Sequence, residues 1–355
     1  MNSWLTRSTV ALRIGLLGVL LLGIGITPAW AGCPELLMLG GVLPRTQTTP
    51  AQARYWGKTV GLDGFLLNYV MADWQDDVGA SPNPVWVRAR NFQALYSAYG
   101  AGSNFVKVAF FSQHDWRQPA QNEKIVENFA HAAALARYAG FKGVALDLEP
   151  YVATWGGSAG GPGLSSTVQE VGAQIGQAMH DAYPGMTLVL LPDVLLEIGY
   201  EKAQPGWAAA HHGGYGLALP FVQGLLSVPW SHAVVATEQT YNSHSPAFAP
   251  IVQQASGNYT QMIGTNAAKW MDFNIAPGLW PLGHSVTDKS ARFSPGEFEQ
   301  RLQAAFAAAK RYVWIFGDAS AWQTDGPYGP GPVVANFPRY LAAIRQARVS
   351  CTPHS

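Results

Sequence analysis

The chain has 355 residues, of which 48% are hydrophobic, 12% aromatic and only 12% charged, and its formal net charge at pH 7 is zero. An average soluble domain carries about twice that share of charge, so a large buried core is within reach. No run of Lys and Arg forms a basic stripe and no net field would recruit a polyanion, which argues against nucleic acid as a partner.

At the amino end, Arg7 and Arg13 precede an apolar stretch from Ile14 to Ile26, followed by Pro28 and the small-x-small triplet Ala29-Trp30-Ala31. This pattern predicts a Sec-type signal peptide over residues 1–31, cleaved after Ala31, and hence an exported, periplasmic or extracellular chain. The apolar stretch is shorter than the roughly 20 residues that span a bilayer, which disfavours an uncleaved anchor. The sequence "WAGC" admits another reading, a lipoprotein acylated at Cys33 and held at the envelope. Only two cysteines exist, Cys33 and Cys351, and in an oxidising compartment they can pair and tie the ends of the mature chain together. Disulfide and lipid compete for one sulfur, so contact with a membrane is expected only if Cys33 is lipidated.

Beyond the signal, short apolar runs alternate with helical segments, the pattern of repeated βα units around a parallel sheet. In chain order the strand candidates are "ELLMLGG", "VGLDGFLLN", "NFVKVAFF", "GVALDLE", "MTLVLLP", "AVVATEQ", "MDFNIAP" and "RYVWIFG". A helix is predicted from about Glu123 to Tyr138, stopping at Gly140, and another from the "SPGEFEQ" segment, where Ser294 caps, Pro295 opens the first turn and Glu297 completes a capping box. The span from Leu195 to Trp230 reads as an elaborated loop with a short helix near Leu219 to Leu226.

Eight strands predict an α/β fold, a single (β/α)8 TIM barrel over residues 32–355 with enlarged βα loops, working as a monomer. A doubly wound sheet is the alternative, but no G-x-G-x-x-G follows a first strand. The "GGSAGGPG" stretch from Gly156 lacks the Lys-Ser/Thr of a phosphate loop.

Side chains alternate along a strand, so in "GVALDLE" the residues Val144, Leu146 and Leu148 share the helix-facing side, while Ala145, Asp147 and Glu149 face the barrel axis. Two carboxyls are thereby placed at the carboxyl end of the fourth strand, where barrel enzymes keep their chemistry. Neighbouring carboxyls cannot both ionise cheaply, so one retains its proton and can serve as a general acid while another acts as nucleophile or cation stabiliser, as glycosidic cleavage requires. An ion pair with Lys107 or Lys142 is the structural alternative. Glu238 follows the sixth strand in the same way and is the second candidate; Asp318, after the eighth strand, then Asp63 and Asp73, come next. Whether the reaction would retain or invert is open at this level.

Aromatic side chains gather at the same strand ends: Tyr69 and Trp74, Trp116, Tyr151 and Trp155, Tyr241, Trp280 and Trp322. Such rings can stack on the C–H faces of sugars, with Asn68, Gln239 and Asn242 bonding hydroxyls. His211-His212 and His114-Asp115 lack the spacing of a zinc helix, no cysteine cluster exists, and no G-x-S-x-G occurs, so neither a metal site nor a serine triad is expected.

The strand "GVALDLEPY" resembles the D-x-E strand of chitinase-like secreted bacterial (β/α)8 glycoside hydrolases. The fuller chitinase motif is D-x-x-D-x-D-x-E, and here Lys142 and Ala145 stand where its earlier acids would be. The resemblance implies Glu149 as proton donor, Asp147 as its electrostatic partner, and Tyr241 as a substrate-orienting tyrosine. "LDGFLLNYV" and "YVWIFGDASAW" also look like segments of secreted barrel proteins assigned as glycosidases. The expected function is therefore an exported glycosidase acting on a poly- or oligosaccharide without a cofactor; a noncatalytic glycan-binding barrel of the envelope is the alternative.

Overall fold

In the computed structural model the described residues are 32–39, 49–68, 70–156, 162–203, 214–241, 243–263, 272–281, 293–317 and 337–351. They lie in one compact unit that begins at Gly32. All eight strand candidates form: β1 (Glu35–Leu39), β2 (Gly64–Leu67), β3 (Phe105–Ala109), β4 (Gly143–Asp147), β5 (Thr187–Leu191), β6 (His232–Thr237), β7 (Asp272–Leu279) and β8 (Tyr312–Phe316). They pair in sequence order, every pair parallel, and β1 closes on β8 with Glu35 beside Tyr312, so the sheet is a (β/α)8 barrel.

The helices that matter for the site are α1 (Pro50–Arg54), α2 (Pro84–Ser97), α3 (Pro119–Ala139), α4 (Pro162–Ala182), α5 (Val194–Ala203), α6 (Ala218–Leu225), α7 (Phe248–Ile263), α8 (Pro295–Ala308) and α9 (Phe337–Cys351). Gly140 ends α3 with φ of 80°, a left-handed value that a side chain would oppose, and Ser294 and Glu297 form the capping box of α8. The expected loop between Leu195 and Trp230 is a different object: it opens with α5, a helix the sequence reading lacks, before the anticipated short helix appears as α6.

Strand alternation divides the core in two. Leu36, Met38, Val106, Val108, Val144, Leu146, Leu188 and Leu190 face outward and join the helices in one buried cluster. Leu37, Leu39, Leu66, Phe105, Ala145, Val189, Leu191, Val234, Ala236, Tyr312 and Trp314 point inward and fill the barrel. Phe105 and Tyr312 meet edge to face, with centroids 5.9 Å apart.

Asp63 sits at the opposite end from the expected chemistry. It immediately precedes β2, accepts the Leu36 N–H at 2.6 Å and pairs with Arg348, so it joins α9 to the barrel floor and is not a mouth residue. Cys33 and Cys351 form a disulfide with Cα atoms 5.4 Å apart across 318 positions of sequence. The Sγ that acylation of Cys33 would need is thereby taken up. Replacing both cysteines by Ser is expected to lower the unfolding free energy by about 2–4 kcal/mol, read from denaturant melts of the oxidised protein and the variant; equal midpoints would contradict a structural role for the bond.

Candidate active site

Lys107 on β3 stands beside Ala145 on β4, and Ala109 beside Asp147. Alternation turns Lys107 and Asp147 inward, where Lys107 Nζ meets Asp147 Oδ2 at 2.5 Å, with side chains 5% and 1% exposed. The ion-pair alternative is thus realised for Asp147, and with Lys107; Lys142 is exposed and lines a cavity of about 400 Å³ at the floor with Glu35 and Asp63.

Past β4 the chain reverses in a short turn. The Glu149 N–H donates to Asp147 Oδ1 at 3.2 Å and the Tyr151 N–H to the Glu149 carbonyl at 2.9 Å. These bonds bring the Tyr151 hydroxyl back over both acids, 3.0 Å from Asp147 Oδ2 and in contact with Glu149 Oε2. A phenol has one proton to donate, so the Tyr151 hydroxyl serves one of these oxygens at a time. Burial first, then the charge of Asp147, push the Glu149 pKa up to about 7, while the hydrogen bond from Tyr151 works against the rise. When Glu149 holds its proton it can donate to Tyr151, and Tyr151 to Asp147.

Glu238 follows β6 directly. The Tyr241 N–H closes a turn onto the Glu238 carbonyl at 2.9 Å, and the Thr240 hydroxyl locks that turn to β7 by donating to the Gly278 carbonyl at 2.8 Å and accepting its N–H at 2.9 Å. Gly278 lets Trp314 pack close, since a Cβ there would stand 2.6 Å from the indole ring. Trp314 in turn supports Tyr241, 5.3 Å away between centroids, and the Tyr241 hydroxyl donates to Glu238 Oε1 at 3.3 Å. Burial, followed by the charges of Glu149 and Glu197, raises the Glu238 pKa well above the carboxylate range. The charge of Glu149 thus reaches Glu238, which brings the two expected carboxyls into one electrostatic cluster.

Glu197 is a third acid of this cluster, and the sequence reading missed it. Asp193, two residues beyond β5, caps α5: its Oδ1 accepts the Leu196 N–H at 3.3 Å and its carbonyl the Glu197 N–H at 3.0 Å. That first turn carries Glu197 to the mouth, where its Oε1 accepts a hydrogen bond from Gln239 Nε2 at 2.5 Å. Burial, then the charge of Asp193, pushes Glu197 up to about 7, and burial pushes Asp193 up to about 6. The available signal was the offset: Asp193 stands as far past Leu191 as Glu149 stands past Asp147.

Several expected sugar contacts are corrected. Trp155 is fully buried, packed on Phe110, Trp116 and Phe221 at 4.7, 5.5 and 5.2 Å, and belongs to the core beneath the β4 loop. Trp74 and Trp116 are buried too, their indole N–H groups donating to the carbonyls of Ser112 and Thr154 at 2.7 and 2.9 Å. Asp73 fixes a loop by accepting the Ser112 hydroxyl at 2.6 Å. Gln239 holds Glu197, and Tyr151 spans the acids. Trp280 is half-buried against Tyr241 at 5.6 Å, and Asn68 is half-buried just past β2. Tyr69, Asn242, Asp318 and Trp322, and the His211-His212 pair, lie outside the described residues. Among the described residues, no group of three or more His, Cys, Asp and Glu is arranged to hold a metal ion.

No protein-family model matches the chain, and no curated protein matches it. Among solved structures it is similar to a GH18 chitinase from Pseudoalteromonas aurantia, at 11% identity over 88% of this chain and 99% of that one, with a TM-score of 0.45. It is also similar to a GH5-4 broad-specificity endoglucanase from Clostridium longisporum, at 10% identity over 90% and 97% with a TM-score of 0.47. A D-allulose 3-epimerase from Methylomonas sp. gives 11% identity over 89% and 98%, with a TM-score of 0.46. The barrel assignment rests on the closed sheet itself.

The Glu197 carboxyl binds its proton more tightly in the folded chain than in the unfolded one, where its value is 4.5. The stability it contributes is fully present below pH 4.5 and is lost as pH rises to about 7. The interval, 7 − 4.5 = 2.5, corresponds to about 3 kcal/mol. Glu197→Gln, which keeps an acceptor for Gln239, is expected to reduce the fall in unfolding free energy between pH 4.5 and 7 by roughly that amount. Urea melts across this range check it; an unchanged slope would mean that Glu197 is not held protonated.

Proposed function

We propose that this chain is an exported glycoside hydrolase that cleaves a poly- or oligosaccharide with Glu149 as general acid and Glu238 as the partner carboxyl. The observation that carries the reading is the carboxyl cluster at the barrel mouth, in which burial and the charge of Asp147 push Glu149 up to about 7 while burial and the charge of Glu149 raise Glu238. Such a coupled pair loses its protons in two steps that belong to the pair and not to either residue; we assign its singly ionised form a charge on Glu238 and a proton on Glu149. That is the state glycosidic cleavage needs: the acid protonates the departing oxygen, and the carboxylate attacks or stabilises the developing cation at the anomeric carbon.

Asp147 is the positioning residue in this scheme. Held by Lys107, it cannot approach a substrate, but it fixes the Tyr151 hydroxyl and keeps a negative charge beside Glu149. Once Glu149 has delivered its proton, Tyr151 can donate to the new carboxylate in place of Asp147. No metal or organic cofactor is needed for these steps. The disulfide between Cys33 and Cys351 supports export, since such bonds persist in oxidising compartments.

A glycan-binding barrel without catalysis draws on one feature of the same site: Asp147 already has Lys107, Tyr151 and the Glu149 N–H as partners, so protein groups alone satisfy it. Kinetics separate the readings. On a polysaccharide that the wild type cleaves, Glu149→Gln is expected to lower kcat by a factor of about 100 to 10,000. On 2,4-dinitrophenyl glycosides, whose leaving group needs no protonation, Glu149→Gln should retain most of its activity while Glu238→Gln loses it. The wild-type rate should decline as pH rises through about 7, where Glu149 ionises. Unchanged cleavage by Glu149→Gln would sink the assignment, and binding without release of reducing ends would favour the noncatalytic barrel.

A further inference from the structure

At the exit of β3 the alternation that turns Lys107 inward turns Phe110 outward, into the aromatic core with Trp155 and Phe129, and so sends Phe111 back toward the mouth. Phe111 is 43% exposed. The other exposed large hydrophobics among the described residues, Val87 and Val349, are aliphatic and lie on α2 and α9. Scattered exposed hydrophobics need no explanation, but this one stands beside the acid pair. Its ring is 4.7 Å from that of Tyr151, whose hydroxyl touches Asp147 and Glu149, and Lys107 Nζ lies 5.3 Å from its centroid. Phe111 is thus braced by two side chains that the carboxyl network itself holds in place, while much of its surface remains open to solvent.

We propose that Phe111 is the stacking platform of a sugar subsite next to the scissile bond. This inference rests on the glycosidase reading and names its substrate class: a pyranose whose ring presents an uninterrupted face of axial C–H bonds, as gluco-configured sugars do. A partly exposed, positionally fixed aromatic ring gains by covering its face with such a surface, and little ordering is required because the ring is already braced. One tyrosine separates the platform from Glu149, which places a sugar stacked on Phe111 beside the glycosidic oxygen that Glu149 would protonate. The platform therefore binds and aligns substrate and takes no part in proton transfer.

The test uses cellohexaose, chitohexaose and partially deacetylated chitosan with the mature chain and its Phe111→Ala and Phe111→Trp variants. KM and kcat are measured on each probe, together with Kd by calorimetry in the Glu149→Gln background, where turnover does not interfere. Phe111→Ala is expected to raise KM and Kd about tenfold with kcat changed less than twofold, and Phe111→Trp to restore both. If wild type cleaves a probe and Phe111→Ala leaves KM and Kd unmoved, the platform is overturned while the glycosidase reading stands. A fall in kcat with KM intact would also overturn it, because Phe111 would then act only by bracing Tyr151. Should wild type neither bind nor cleave any of the three probes, the gluco-configured substrate class and the platform that names it are overturned, while the glycosidase reading is decided separately by Glu149→Gln on whichever polysaccharide the wild type cleaves.

Discussion

Lys107 and Asp147 meet inside the barrel, beneath the mouth, where neither side chain is more than 5% exposed. Taking two such charges out of water costs several kcal/mol per ion unless the geometry and the remaining hydrogen bonds offset it. Here they do: Asp147 also accepts the Glu149 N–H and the Tyr151 hydroxyl, so both carboxylate oxygens are occupied. The fixed negative charge that results shapes everything around it. It raises Glu149, it orients Tyr151, and through Tyr151 it places Phe111. Removing Lys107 would leave that charge unpaired in a dry interior, so the site depends on a residue that need never touch a substrate.

The barrel supplies the second condition, a dry floor. Trp314, Tyr241 and Ala236 close the interior under Glu238, and the aromatic layer of Phe110, Trp116 and Trp155 closes the space behind the β4 turn. Carboxyls set on such a floor are desolvated before any neighbour acts on them, which is why burial is the leading cause for Glu149, Glu197 and Glu238 alike. Apolar strands that carry Asp147, Glu149 and Glu238 at or just past their carboxyl ends thus do two jobs with one pattern: they build the core, and they tune the groups at its rim.

Much of this was legible in the chain. Period-two alternation in "GVALDLE" is enough to set Asp147 and Glu149 on the inner face, because a closed parallel barrel leaves a strand residue only two directions. Glu238 followed from the same offset logic, and the Ser294 capping box and Gly140 marked helix ends from local chemistry alone. The tryptophans were not legible. Trp74, Trp116 and Trp155 occupy strand ends as sugar platforms would, but whether such a ring faces solvent depends on what folds over it, and Phe221 on the distant helix α6 covers two of them. Glu197 escaped because α5 occupies a stretch read as loop; only the cap at Asp193 betrays the helix. Phe111 was visible to the alternation argument, yet it adjoins a core residue of the same type, and only exposure tells the two apart.

Glu149 carries a proton near neutral pH because its carboxyl is desolvated beside the charge of Asp147. Carbon-13 NMR of residues 32–355 labelled at glutamate Cδ, titrated from pH 3 to 9, measures this without a substrate. A carboxyl resonance with its midpoint near 7, lost in Glu149→Gln, is the predicted result. If the resonance lost in Glu149→Gln titrates instead in the ordinary carboxylate range, about pH 4–5, Glu149 holds no proton to give and the acid mechanism built on it is wrong.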